Sequence, residues 1–534
     1  MASQVFTDAK VFTGRGEDDF VTAFRVTDGV VDWLGDASEV DTADAHRLGG
    51  RTVVPGLLDM HVHPALMTTT IDAVDCLPPA VTSLPQLIEA LRTHAAVGAG
   101  PDAWIVGNGY DETKYPEGRA PTARDLDEVS TTQPVIVWRC DRHSAACNSR
   151  ALEIAGLTAD TPDPAGGRFE RDADGRPDGV LTEISATQAV ASHIPDAAPE
   201  ERVAQLRQVG ERLLSRGIVG VCDLLATRIP EPLDAYRAAE DGAPMPRASL
   251  FYGWDPADPP ADLTDDDRTG RSRAAGLKVI MDGAYSNRTA WVCHPYPGSD
   301  DDHGLRTLSD EDALSAGAWA RRNGVQLAVH AMGDRAIRQV IELFADQEPW
   351  LHGTPSIRIE HATLLSAETI ERLRTARMAF GIATHTVFLY AEYDGYERNL
   401  RPELRDQAYP IRSLYEELPA LALSSDCPAT AWGEADNVFV SVEAAVRRRA
   451  YNGADIGQGA AVSVAQAMLL YTDRAAALTD VGRLGRIDVG CEGSFAVLDQ
   501  DVFTVPSERI GETGVLETWI AGERVWTRRA PASP

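Results

Sequence analysis

Lysine is nearly missing from this chain. Of 50 basic residues only three are lysines, Lys10, Lys114 and Lys278, and the rest are arginines. Positive charge of any kind is short: 81 acidic residues leave a net charge of −31 and a pI near 4.7. A chain this acidic lacks the cation density that phosphate backbones and anionic lipid surfaces require, so no nucleic acid and no membrane partner is expected. The preference for Arg reads as a genomic or salt-related bias. Long apolar runs are also missing, and none approaches the ~20 residues that span a bilayer. The opening MASQVFTDAK has no basic segment followed by an apolar one, so no secretory leader is expected. Cysteine is sparse, with seven residues and no CxxC pair, which reads as reduced thiols in a cytoplasmic protein. What is present is ordinary globular material: 534 residues, 44% hydrophobic and 25% charged. That is several times the common domain size of ~100–150 residues.

Both ends read as short strands. VFTG, FRVTDGVV and WLGD alternate apolar and polar residues, and SFAVLD and TWIAGERVW near the C-terminus do the same. The two ends, 1–52 and 482–534, are expected to form one small β-sandwich domain. Between them, apolar runs recur at 53–63, 217–225, 247–255, 276–283, 324–334, 356–363, 377–385 and 420–428. Each is followed by a polar loop and a helical pattern, the signature of a parallel sheet covered on both faces. Eight such units are the count of a (β/α)8 TIM-type barrel, expected over 53–481. The first and second runs are too far apart for one crossover helix, so an inserted subdomain is expected over about 66–200. The Asp-rich stretches at 255–267 and 298–303 read as solvated loops.

Polar residues close the apolar runs, where a barrel gathers its chemistry on one face. His61 and His63 end the first run. Side chains alternate along a strand, so both imidazoles share a side, ~6–7 Å apart, and can converge on a metal. Lys278 lies inside the fourth run, where an ammonium is costly unless it is paired or neutralised. A chain that uses Arg almost everywhere keeps here the one cation able to deprotonate and react. It either pairs with Asp282, four residues on, or reacts with CO2 to become an anionic carbamate ligand. His330, His361 and Asp426 end the fifth, sixth and eighth runs. Asp426 can both ligate a metal and take a proton from water.

The set PGLLDMHVHP, LKVIMDG, HAMGDRAI, RIEHA and SSDCP resembles the amidohydrolase superfamily. More narrowly it is similar to the branch that contains N-substituted formamide deformylase, and GYDETKYPEGRAPTARDLD, HSAACNSRAL, GVLTE and DGAYSNRTA extend the match over nearly the whole chain. The resemblance implies a distorted barrel with one or two divalent metal ions. Zinc comes first, with Mn, Fe or Co as alternatives for a His/carboxylate set. It implies His61 and His63 on one ion, His330 and His361 on the other, and carboxylated Lys278 between them. Asp426 ligates and acts as general base, and a metal-bound hydroxide attacks the carbonyl. It further implies His143 as a catalytic contact to the substrate carbonyl or leaving group. Asn148, Asp282 and Arg288 are implied as substrate residues, and Glu183 as an alternative bridging ligand. His385 departs from the branch, which usually has Gln-Pro where this chain has Thr384-His385, and is expected beside the substrate. The implied reaction is hydrolysis of a C–N bond in an amide, N-formyl or cyclic amide small molecule. A deaminase, a carbamate or lactone hydrolase and a catalytically silent binding homologue are the alternatives. A homodimer is the common default for the assembly.

Overall fold

A computed structural model describes residues 3–140, 142–164, 166–405 and 407–529. Each of the eight apolar runs overlaps a strand, the fourth of which starts four residues before its run: β1 (Leu57–Val62), β2 (Ile218–Asp223), β3 (Arg247–Gly253), β4 (Ser272–Ile280), β5 (Gln326–Ala331), β6 (Ile357–His361), β7 (Phe380–Thr384) and β8 (Leu421–Leu423). Each pairs in parallel with the next in sequence, giving one eight-stranded sheet that is nearly closed into a barrel. At the seam, the N–H of Asp426, beyond β8, donates to the carbonyl of His61 in β1 at 2.8 Å. The strands are apolar nearly throughout because they are covered on both faces. Leu58, Met60, Val219, Phe251, Ala328, Ala383 and Ala422 are buried in one cluster.

Register sets which side chains meet. Lys278, Ala328, Arg358 and Gly381 are aligned across β4 to β7, and His330, Glu360 and Ala383 are aligned two residues further on. Aligned residues of neighbouring parallel strands share a face, so charged and small residues alternate around the interior. Covering helices start and stop on local signals. Asp310–Asn323 begins where Ser309 accepts from the Asp312 N–H and ends at Gly324, at φ 63°. Three acids sit in its first turn and Arg321 and Arg322 in its last, matching the helix dipole.

The chain ends meet in one mixed sheet of eight strands. Its main path runs Glu523–Thr527, Val515–Ile520, Phe495–Leu498, His46–Pro55, Ser3–Phe12, Ala23–Thr27, Val30–Gly35. Phe6, Phe24, Phe495 and Trp519 pack at ring separations of 4.9–5.4 Å in its core. The apolar run at 53–63 is divided between two sheets. Val53–Pro55 finish a terminal-sheet strand, and β1 starts after Gly56, where any side chain would strike Val219.

Contact density separates a second unit, Leu66–Gln205 with Cys427–Ala435, from the rest. Its six-stranded sheet runs Arg168–Arg171, Pro177–Thr182, Ala145–Cys147, Val135–Arg139, Ile105–Tyr110, Val74–Asp75. The stretch 427–435 joins it partly through Lys114, whose Nζ donates to the carbonyl of Ala431 at 3.2 Å. The Asp-rich loops of the first unit are surface ion pairs: Asp262 with Arg322, Asp266 with Arg237, and Asp302 with Arg288. The seven cysteines form no disulfide, and no helix among the described residues is long and apolar enough to cross a membrane.

Candidate metal centre

The carboxyl ends of the barrel strands bring together His61, His63, Lys278, His330, His361, His385 and Asp426. All but His330 are buried, and the His330 side chain is 17% exposed. His61 and His63 follow the alternation of β1. Nδ1–H of His61 donates to Glu360 at 2.7 Å, which turns Nε2 toward Asp426 Oδ1, 3.3 Å away. Nε2 of His63 lies 2.8 Å from the same oxygen. Ligand atoms of His61, His63 and Asp426 all lie within 4.8 Å of one another, and so do those of His61, His361 and His385.

His361 and Asp426 are held at φ 68° and 54°, a region that non-glycine residues seldom enter. Such strain persists where the surroundings over-determine it, and here it falls on two residues of the cluster. Rings pack around them. His361 lies 4.3 Å from His330, 4.8 Å from His61 and 4.7 Å from His385, and Phe388 stacks over both His361 and His385.

Burial favours neutral imidazoles. It holds His361 well below its usual value, reinforced by neighbouring imidazoles, and it lowers His63, although Asp426 opposes. His330 and His385 are pushed down to about 3, chiefly by burial. Burial also pulls the Lys278 amine to about 8, although Glu360 and Asp426 oppose it. The Lys278 amine donates no hydrogen bond to any described residue, and Asp282 is occupied elsewhere.

Sequence reasoning overlooked the support beneath the cluster. Arg358 is fully buried and donates to Glu360 at 2.9 Å, to the Met60 carbonyl at 2.6 Å and to Thr479 at 2.8 Å. Arg358, Glu360 and His61 thus form a chain that fixes the first imidazole, the arrangement by which outer partners orient metal ligands. The signal was two charges at i and i+2 in an apolar strand, costly to bury unless they pair. Asp59 accepts from the N–H groups of His61 and Ser425, and burial raises its carboxyl to about 6.

Several expected site residues have other occupations. Asp282 is buried and accepts from the N–H groups of Trp291, Met332 and Gly333 at 2.7–3.0 Å, which pins the loop after β5. Arg288 pairs with Asp302 at 2.9 Å and covers the ring of Tyr296. Asn148, fully buried in the second unit, caps the helix Ser149–Ile154. Its carbonyl oxygen accepts from Val135 and Ala151 and its amide donates to Ser130 and Gln133, leaving no capacity for a substrate. His143 and Glu183, in the same unit, are about half exposed and lie 3.5 Å apart.

An amidohydrolase family model matches residues 47–526. N-substituted formamide deformylase of Arthrobacter pascens is 28% identical over 98% of each chain. Among solved structures, an uncharacterized metal-dependent hydrolase from Pyrococcus horikoshii aligns with TM-score 0.73 at 21% identity, over 95% of this chain and 99% of that one. A second, from Pyrococcus furiosus, aligns with TM-score 0.70 at 22% identity over 94% and 100%. These two show the barrel fold. The family match covers the barrel, the strand ends that carry the histidine cluster and the C-terminal strands, so this chain is a hydrolase belonging to the amidohydrolase family.

Proposed function

We propose that the protein uses a divalent metal ion to hydrolyse the C–N bond of an amide, N-formyl or cyclic amide small molecule. The observation that carries this reading is the buried cluster of imidazoles around one carboxylate. Nδ1 of His63, Nδ1 of His361 and Nε2 of His385 are buried without a hydrogen-bond partner. Buried polar atoms are costly when unpaired, and these suit a cation. His61, His63, His361 and Asp426 would hold the ion, with His330 and Lys278 beside them. A divalent ion here supplies acidified water and polarises a carbonyl.

The remaining work falls to the chain. Asp426 takes a proton from the attacking water on a carboxylate oxygen and gives it to the leaving nitrogen. The carbonyl carbon gains the water oxygen, the C–N bond breaks, and a carboxylic acid and an amine leave. Glu360 and Arg358 keep His61 oriented, and Phe388 covers two imidazoles with an apolar ring. We further propose that Lys278 is carboxylated: its neutral amine bonds the carbon of CO2 and a proton is released. The low amine pKa and the missing hydrogen-bond partner support this.

A substrate panel tests the reaction. Metal-loaded protein is offered N-substituted formamides, cyclic amides, carbamates, lactones and amino-heterocycles. Release of amine from the first two classes is expected. Ammonia from the heterocycles would move the reading to deamination, and no turnover of any class would overturn it.

A further inference from the structure

We infer that His385 is itself a metal ligand, through Nε2, on the ion that His61 and His361 bind. This rests on the metal-dependent reading above and assigns a residue which the family resemblance leaves without a role. Nδ1–H of His385 donates to the carbonyl of Ser424 at 3.0 Å, so a neutral ring carries its lone pair on Nε2. That nitrogen is buried and has no partner. The ring is fully enclosed, and Phe388 stacked at 5.0 Å and 23° fixes its plane.

The surroundings of Nε2 decide what it can bind. His61 donates from Nδ1 to Glu360, so in its neutral form Nε2 also carries a lone pair, and Asp426 adds carboxylate oxygens. Lone pairs that face one another inside a protein have no proton to share, and each unsatisfied acceptor costs about 1–3 kcal/mol. One cation satisfies them all. Ligand atoms of His61, His361 and His385 lie within 4.8 Å of one another, close enough for one ion to take all three. The donors then include His61, His361 and His385. A set so rich in imidazole suits Zn, Fe, Co or Ni better than Mg or Ca.

The test uses the full chain, stripped of metal and reloaded with Zn(II) or Co(II), as wild type, His385→Gln and His385→Cys. X-ray absorption at the metal edge is expected to count one imidazole fewer in both variants. Zn(II) affinity in His385→Gln is expected to fall by more than the ~10–100-fold that loss of an outer partner costs. In Co(II)-loaded His385→Cys, a near-ultraviolet thiolate-to-metal band missing from wild type is expected. An unchanged imidazole count with no thiolate band would overturn the inference, even if His385→Gln folds poorly. Wild type that binds neither ion would instead overturn the metal-dependent reading on which it rests.

Discussion

At Asp426 the backbone sits at φ 54°, a conformation that costs a non-glycine residue about 1–3 kcal/mol. Asn tolerates this region, so Asp426→Asn removes the charge and leaves the backbone in place. kcat/KM is expected to fall ~10^2–10^4-fold, the usual loss for a general base, with little change in thermal unfolding. A second substitution probes the buried ion pair. Glu360→Ala strands the Arg358 guanidinium in the barrel and is expected to cost about 3–5 kcal/mol in denaturant unfolding. A loss below about 1 kcal/mol would mean that Arg358 finds other partners. Much of the cluster was legible at this scale, because His61, His63, Lys278, His330, His361 and Asp426 all lie at or near the ends of apolar runs. Roles set by distant partners were not. His385 gains meaning only when β1 and β6 stand beside it. Asn148 was read from a motif, whereas its place just before a helix, where Asn is among the best caps, carried the better signal.

The helix Asp334–Phe344 shows how an element positions the site. It buries Ala336, Ile337, Val340, Ile341 and Phe344 on one face, but Gly333 at its start offers no side-chain cap. Asp282 supplies the missing acceptor from a different loop, taking the Gly333 N–H at 2.7 Å. A Cβ on Gly333 would run into the backbone of Trp291. Gly333→Ala is therefore expected to destabilise the protein by about 1–3 kcal/mol, the usual cost of overpacking, read by denaturant unfolding. Unchanged stability would show that the Trp291 loop yields freely. The eight barrel strands were readable because each is a separate apolar run fully covered by its neighbours. Their flanks were harder. The run at 53–63 hides the crossing from one sheet to another at Gly56, and the allegiance of 427–435 depends on Lys114, more than three hundred residues away in sequence.

For the whole molecule, charge governs the response to salt and acid. A net charge of −31 repels itself in the compact state, so the melting temperature is expected to rise as salt screens it. A melting temperature independent of salt would mean that local pairs already cancel the repulsion. Acid acts through buried pairs such as Asp436, which burial pushes up but Arg212 and Arg216 hold below the ordinary carboxylate range. A depressed folded pKa gives stability that is present above the unfolded value of ~3.9 and is lost as pH falls through the folded one. Thermal unfolding across that range in wild type and Asp436→Asn should show the variant less sensitive to acid, and equal sensitivity would remove Asp436 from the explanation. The central claim, a divalent ion at the histidine cluster, is tested most directly by elemental analysis of metal per chain in protein prepared without chelator, with His61→Ala and Lys278→Ala alongside. At least one equivalent is expected in wild type, with loss of nearly all of it in His61→Ala and a reduced content in Lys278→Ala. Wild type that carries no metal, or His61→Ala that keeps it all, would contradict the account.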